Sequence, residues 1–157
     1  MDSQQQRELN HFFVETFNKI LQYEESALLN HKELSGLSMK ELHTIEAVAE
    51  LQALGINTMS KIANRLSISV GALTTAIHVL VSKGCLERRG SPSDRRVVQV
   101  FLTDKGSRAE QVHRQFHMEL IHKISSALSP EGLAALLESL KVLSGFFEEK
   151  KKQGDTA

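Results

Sequence analysis

Hydrophobic side chains recur at helical spacing through most of the chain, and a serine or threonine stands before five of these stretches. Such hydroxyl residues favour the position before the first helical turn, where the side chain accepts a hydrogen bond from a free backbone amide. Glu41, three residues after Ser38, is placed to complete a capping box. The pattern predicts six helices: about Gln4–Asn30, a second beginning after Ser38, Met59–Leu66, Val70–Lys83, Asp104–Ala127 and Pro130–Lys151.

The second, third and fourth helices each carry one apolar face, which the spacing directs towards the core. The residues expected there are Leu42, Ile45, Ala49 and Leu51, then Ile62, Ala63 and Leu66, then Leu73, Ala76, Ile77, Leu80 and Val81. Residues 67–69, Ser-Ile-Ser, are short enough for the turn of a helix-turn-helix. Gly84 follows as a stop signal, with Lys83 in the last turn near the negative end of the helix dipole.

The outer face of the fourth helix carries small, polar or methyl-bearing side chains that leave room for close approach to base edges. Threonine offers a base pair both a hydroxyl and a methyl, and Gly71 lets the backbone come near a phosphate. The residues of this face are Val70, Gly71, Thr74, Thr75 and His78, and Ser69 is placed to cap the helix.

Two short apolar runs, residues 85–86 and 97–102, flank a tip of turn-forming residues at 90–94. That composition predicts a β-hairpin. Four arginines stand beside the tip: Arg88, Arg89, Arg95 and Arg96. A narrow hairpin bearing guanidinium groups fits the DNA minor groove, and Asp94 is close enough to orient the fork of Arg96. The alternative is a solvated hairpin with surface arginines.

The charge distribution supports DNA contact, although the chain as a whole is neutral. Residues 55–106 carry eight basic and three acidic side chains, whereas residues 1–54 carry four basic and nine acidic ones. Residues 107–157 carry seven of each. A positive central block beside an acidic flank is typical of a lobe that contacts DNA.

Composition and motifs narrow the class of protein further. A chain of 157 residues forms one compact unit or two small lobes. It has no apolar run of membrane-spanning length, no secretory signal pattern, and no phosphate loop or nucleophile motif of an enzyme. The single cysteine, Cys85, excludes an internal disulfide and suits a reducing cytoplasm. It is expected to be a small buried hydrophobe, and the alternative is a redox sensor.

The flanking helices predict self-association. Phe12, Phe13, Phe17, Ile20 and Leu21 recur along the first helix. The last helix has apolar residues over more than one side, which is difficult to bury within one small chain. These residues are Leu133, Leu136, Leu137, Leu140, Val142, Leu143, Phe146 and Phe147. We expect this face to pack against a second copy of the chain; the alternative is that the long fifth helix of the same chain covers it.

The order of the elements, the turn at 67–69, and the segments 91–96 and 102–106 resemble the MarR family of bacterial winged-helix regulators, whose Asp-x-Arg wing signature falls on Asp94 and Arg96. The resemblance extends from about Asn10 to Glu149. It implies a mainly α fold with a small β wing: a winged helix-turn-helix of six helices in an intertwined homodimer on a pseudo-palindromic operator. The implied organisation is a single domain with a DNA-binding lobe at 38–106 and a helical dimerisation region at 4–37 and 107–151.

By this resemblance, Arg96 enters the minor groove, Asp94 orients it, and the helix at 70–83 lies in the major groove. The residues expected to contact DNA are Ser69, Val70, Gly71, Thr74, Thr75, His78, Arg88, Asp94, Arg95 and Arg96.

Four shorter segments, at 40–45, 71–75, 94–98 and 114–117, resemble the FabT branch, the fatty-acid synthesis repressors of Gram-positive bacteria. In that branch the co-repressor is an acyl chain on acyl carrier protein. The resemblance implies such a ligand between the first, second and fifth helices. The candidate lining residues are Phe13, Phe17, Ile20, His43, His113, Phe116 and His117.

The histidines leave other effectors open. His113 and His117 share a helix face, a spacing that presents two imidazoles to one metal. Resemblance to zinc-responsive members of the family adds His43 with Glu24 or Glu25, although the primary expectation is that no cofactor binds. The further alternatives are a small phenolic ligand and, in another class, an architectural DNA-binding protein without a ligand.

Overall fold

The computed structural model describes residues 3–90 and 97–154. That part of the chain contains six α-helices, a short 3-10 helix at Lys32–Leu34 and one two-stranded sheet. The elements are α1 (Ser3–Asn30), α2 (Met39–Ala53), α3 (Met59–Leu66), α4 (Val70–Ser82), β1 (Leu86–Gly90), β2 (Val98–Leu102), α5 (Asp104–Ala127) and α6 (Pro130–Gly154). The six predicted helices are confirmed to within a few residues at their ends. The chain divides into two compact units, one ending at Arg114 and the other beginning at Gln115, inside α5.

Hydroxyl groups begin five of the helices at the predicted positions. The side chain of Ser38 accepts a hydrogen bond from the amide of Glu41, and the Glu41 carboxylate accepts one from the amide of Ser38. The predicted capping box is therefore confirmed. The same type of side-chain cap begins α3, α4, α5 and α6 at Thr58, Ser69, Thr103 and Ser129.

The core of the first unit is formed mainly by α2, α3, α4 and the hairpin. Its buried apolar residues are Leu34, Leu37, Leu42, Ile45, Val48, Leu51, Ile62, Ala63, Leu73, Ile77, Leu80, Cys85, Leu86, Val100 and Ala109. Two expectations were wrong. Val48 is fully buried and takes the place predicted for Ala49, which is only partly buried. Val81 is 37% exposed, because the buried residues of α4 are Leu73, Ile77 and Leu80, which follow one another at about one helical turn and leave Val81 beside their face.

The hairpin is antiparallel, with Leu86 paired to Leu102 and Gly90 paired to Val98. Gly90 therefore lies in β1 and not in the tip, because ladder pairing uses only backbone groups. The rest of the predicted tip, residues 91–96, lies outside the described residues. Asn57 attaches the hairpin to the α2–α3 connection through two hydrogen bonds with Val100. The buried side-chain amide of Asn57 donates to the backbone carbonyl of Val100 at 2.6 Å, and the backbone carbonyl of Asn57 accepts from the backbone amide of Val100 at 3.0 Å.

The base of the hairpin is joined to the first turn of α5. The amide of Thr103 donates to the carbonyl of Cys85 at 3.1 Å, and the Thr103 hydroxyl donates to the carbonyl of Gly84 at 2.7 Å. Gly106 packs directly on this junction, where an added Cβ would lie 2.1 Å from the Cys85 carbonyl oxygen. Cys85 is fully buried, as predicted, and burial raises the pKa of its thiol.

The second unit contains the remainder of α5 and the whole of α6, and much of its apolar surface is open. Leu137, Leu140, Val142, Phe146 and Phe147 of α6 are between 47% and 76% exposed. In the described ranges, no single helix has the length and hydropathy needed to cross a membrane; α3 and α4 reach that composition only as a bent pair.

Candidate nucleic-acid interface

α3 and α4 form a helix-turn-helix. Their axes are bent by 103° at the three-residue turn, within the range of about 90–120° typical of the motif. Ser67 makes the turn by adopting the left-handed conformation, with φ of 56°, and its amide donates to carbonyls of the last turn of α3. Ser69 then caps α4 with a bond from the Ala72 amide at 3.1 Å. The predicted turn is confirmed.

α4 presents the predicted short side chains to solvent. Val70, Gly71, Thr74, Thr75 and His78 are all exposed, Val70 with 49% of its surface. The hydroxyl of Thr74 donates to the carbonyl of Val70 at 2.8 Å, and that of Thr75 lies 3.5 Å from the carbonyl of Gly71. The face is therefore accessible, and both threonine hydroxyls are turned to the helix backbone.

The structure describes two of the four wing arginines, Arg88 and Arg89, and the side chains of both bind other residues of the chain. Nη2 of Arg88 donates to the backbone carbonyl of Thr74 at 3.0 Å, which links β1 to the middle of α4. Arg89 forms an ion pair with Glu87, and its guanidinium carbon lies 4.6 Å from the ring centroid of Phe101. These two arginines thus brace the hairpin. Asp94, Arg95 and Arg96, the predicted minor-groove residues, lie outside the described residues.

An ion pair at the other end of α4 holds that helix against the start of α2. Nζ of Lys83 lies 2.7 and 2.8 Å from the two carboxylate oxygens of Glu41 and 2.7 Å from the carbonyl oxygen of Gly36. Burial favours a higher pKa for the Glu41 carboxyl, but the hydrogen bonds from Lys83 and Ser38 outweigh it, so that this pKa lies below its ordinary value.

The prediction for Lys83 was wrong in this respect. Lys83 is the C-cap residue of α4 and not part of its last turn, and its ammonium group binds the Glu41 carboxylate. A charge-assisted bond at 2.7 Å is stronger than the interaction of a cation with a helix dipole, so the pair with Glu41 is the larger contribution of Lys83. The sequence feature that could have indicated this ion pair was Glu41, since a carboxylate that caps a helix keeps acceptor sites for a second partner.

The aromatic candidates for an effector site are divided between the units. On α1, the rings of Phe13 and Phe17 stack with centroids 6.1 Å apart. Phe13 and Ile20 are partly buried, while Phe17 is 49% exposed. Phe116 and His117 belong to the second unit, where their rings have centroids 5.3 Å apart.

The histidine candidates in the first unit come together. The rings of His43 on α2 and His113 on α5 have centroids 5.6 Å apart, and His113 is buried. Nε2 of His113 lies 3.7 Å from Oε2 of Glu46, which was not among the predicted residues. Its position three residues after His43 on α2 was the available signal, since that spacing places two side chains on one helix face. Glu24 is buried on α1, whereas Glu25 is exposed.

A depression of about 350 Å³ lies elsewhere on the first unit, and its lining shares no residue with the predicted effector set. It is lined by Lys32, Glu33, Lys105 and Arg108.

The helix-turn-helix followed directly by a two-stranded hairpin defines a winged-helix DNA-binding protein. A model of the MarR family matches residues 37–98. Over 97 residues the chain is 31% identical to the multiple antibiotic resistance protein MarR of Salmonella typhimurium, covering 61% of this chain and 67% of that protein. The chain belongs to the MarR family, and it is therefore a DNA-binding transcriptional regulator and not an enzyme.

Solved structures agree with this assignment. Streptococcus pneumoniae FabT in complex with DNA matches with a TM-score of 0.77 and 32% identity, over 91% of this chain and 97% of that one. The MepR–DNA complex of S. aureus matches with a TM-score of 0.66 and 20% identity, over 88% and 97% of the two chains, and shows the same fold. The predicted winged helix and its resemblance to the FabT branch are confirmed.

Proposed function

We propose that the protein is a cytoplasmic repressor of fatty-acid synthesis genes that binds a pseudo-palindromic operator as a homodimer. The observation that carries the proposal is the likeness to FabT, because it combines 32% identity with coverage of nearly the whole of both chains. The accessible face of α4 supplies short side chains for the major groove, and the arginine-bearing hairpin is suited to the minor groove.

Exposed apolar side chains on α1 and α6 support the homodimer. Phe12 and Leu29 of α1 are 62% and 87% exposed, and Val142 of α6 is 76% exposed. A second copy of the chain would remove this surface from water. In such a dimer the two α4 helices would reach half-sites about 34 Å apart, one turn of DNA. Light scattering of the purified protein measures the mass of the assembly directly.

The proposed effector is an acyl chain carried on acyl carrier protein. The stacked pair Phe13 and Phe17 on α1 is the apolar surface in the first unit that supports this choice. Such a ligand alters DNA affinity only if it binds the DNA-competent dimer and the free dimer differently. Coupling between two sites typically changes affinity by about 5- to 150-fold.

Titration of the protein–DNA complex with long-chain acyl carrier protein tests both parts of the proposal. The DNA is a fluorescent duplex from a fatty-acid synthesis promoter of the host, and the control is the same carrier without an acyl chain. We expect the acylated carrier alone to shift the Kd for DNA by at least about fivefold. Absence of specific promoter binding would refute the repressor, whereas binding without any response would refute only the effector.

Zinc is a second candidate effector, favoured by the approach of Glu46 and His43 to the buried His113. Imidazole and carboxylate groups are common zinc ligands. A zinc effector would produce a shift in DNA affinity that a chelator reverses and that His113→Ala or His117→Ala abolishes. His122→Ala, an exposed histidine on the same helix, is the matched control. A zinc response retained in both variants would refute this site.

A further inference from the structure

α4 lacks the long hydrogen-bonding side chains with which many reading helices contact bases. Arginine and lysine bind guanine edges, and asparagine and glutamine bind adenine edges, yet none of these four residue types occurs in α4, all of which is described. The exposed residues of the helix are Val70, Gly71, Ala72, Thr74, Thr75, His78, Val79, Val81 and Ser82. Six of these nine residues carry methyl groups.

The hydroxyl groups of the helix are engaged with its own backbone. Ser69 accepts from the amide of Ala72 at 3.1 Å, and Ser82 donates to the carbonyl of Val79 at 2.7 Å. Thr74 donates its hydroxyl proton to the carbonyl of Val70 at 2.8 Å, a short and well-formed bond. Since Cβ of threonine carries one hydroxyl and one methyl, turning the hydroxyl to the backbone leaves the methyl as the group presented outward.

Thr74 is also held through its backbone. Its carbonyl accepts the bond from Arg88 at 3.0 Å, which fixes the middle of α4 against β1. Val70 lies one helical turn earlier on the same face and is 49% exposed. The hydroxyl of Thr75, in contrast, lies 3.5 Å from its carbonyl acceptor, at the long limit for a hydrogen bond.

We propose that Thr74, with Val70 beside it, selects thymine in the operator by contact with the 5-methyl group. This inference rests on the proposed function. Thymine is the base that places a methyl group in the major groove, and threonine and other apolar side chains recognise it by contact. Burying one methyl-sized group corresponds to about a fourfold change in affinity.

Deoxyuridine tests the inference without altering the protein, because it pairs as thymine does and lacks only the 5-methyl group. The operator is first selected from random duplexes with the full-length protein, and each thymine is then replaced singly. We expect one or two positions in each half-site to weaken binding by about fourfold per replacement. Replacement at the other thymines is expected to leave the Kd unchanged.

Two substitutions at Thr74 separate the methyl from the hydroxyl. Thr74→Val keeps a methyl and removes the hydroxyl, and we expect it to retain the discrimination against deoxyuridine. Thr74→Ser keeps the hydroxyl and removes the methyl, and we expect the discrimination to disappear at the contacted position. Thr75→Ser is the matched control and is expected to leave discrimination at that position intact.

A specific operator in which deoxyuridine is tolerated at every thymine would overturn the inference and leave the proposed function standing. So would a Thr74→Ser protein with undiminished discrimination, or a Thr74→Val protein that loses it. A selection that enriches no sequence would overturn the proposed function and this inference together. If one Thr74 variant fails to fold, the deoxyuridine series on the unaltered protein still tests whether a thymine methyl is recognised, and the other Thr74 variant tests which residue recognises it.

Discussion

Replacing Gly106 with alanine tests whether the first turn of α5 is fixed to the base of the hairpin. The new Cβ would lie 2.1 Å from the carbonyl oxygen of Cys85 and 3.1 Å from its carbonyl carbon. Non-bonded carbon atoms attract each other most strongly at roughly 3.5–4.0 Å, and much closer approach is repulsive. Because the Cys85 atoms belong to the main chain, they cannot rotate away as a flexible side chain does. Either α5 or the α4–β1 connection has to move.

The size of the effect follows from the bonds that such a movement disturbs. The Cys85 carbonyl accepts from the Thr103 amide at 3.1 Å, and the Thr103 hydroxyl donates to Gly84 at 2.7 Å. Losing two hydrogen bonds costs about 2 kcal/mol, and overpacking adds about 1–3 kcal/mol. Alanine returns about 1 kcal/mol through its higher helix propensity. We expect the free energy of unfolding to fall by about 3 kcal/mol, which lowers Tm by roughly 6–12 °C.

Urea unfolding followed by circular dichroism measures this change, at one fixed protein concentration because a dimer's stability depends on concentration. Gly145→Ala in α6 is the matched control, since nothing lies within 4 Å of its added Cβ. That variant is expected to gain up to about 1 kcal/mol. Similar changes in the two variants, or a loss below about 1 kcal/mol for Gly106→Ala, would refute the packing argument.

Four further substitutions test other contacts and the wing. Lys83→Met should lower the free energy of unfolding by about 1–2 kcal/mol at pH 7. The folded state lowers the pKa of Glu41, so the ion pair stabilises the fold above the unfolded pKa and this stabilisation is lost as the pH falls through the folded pKa. Without Lys83, the urea midpoint should therefore fall less steeply as the pH is lowered into the acid range. Asn57→Ala should cost about 1–3 kcal/mol in thermal unfolding by leaving the Val100 carbonyl without its side-chain donor; an unchanged Tm would contradict this. Arg96→Ala should weaken operator binding by about 1–3 kcal/mol in gel shifts at fixed salt, and Asp94→Ala should weaken it too; unchanged affinity in a folded Arg96→Ala dimer would refute the wing assignment.

Helix ends and the helix-turn-helix could be predicted because their signals are local. Ser69 caps α4 by accepting from an amide three residues away. Gly84 follows the C-cap of α4 and stops the helix with a φ of +72°, which other residues rarely adopt. The segment 102–106 resembles the family by sequence alone. The structure gives a physical reason for its glycine, because Gly106 meets the main chain of Cys85.

Contacts between elements that are distant in the sequence could not be predicted from local signals. Lys83 and Glu41 are 42 residues apart, and each had a plausible local role in its own helix. Arg88 was predicted to contact DNA, which stays a prediction. Its bond to the backbone carbonyl of Thr74 was not predicted, because no side-chain pattern marks a backbone acceptor. Glu46 was missed because its approach to His113 depends on how α2 and α5 are placed together.

These distant contacts determine how a ligand could influence α4. Nζ of Lys105, in the first turn of α5, donates to the carbonyl of Lys83 at 2.9 Å. Lys83 in turn binds Glu41 at the start of α2, and Arg88 ties the middle of α4 to β1. A ligand that displaces the first turn of α5 must therefore move the end of α4 or break bonds worth about 1 kcal/mol each. Typical coupling energies are about 1–3 kcal/mol. Altering one or two of these bonds to different extents in the DNA-bound and the free protein would therefore supply a coupling of this size.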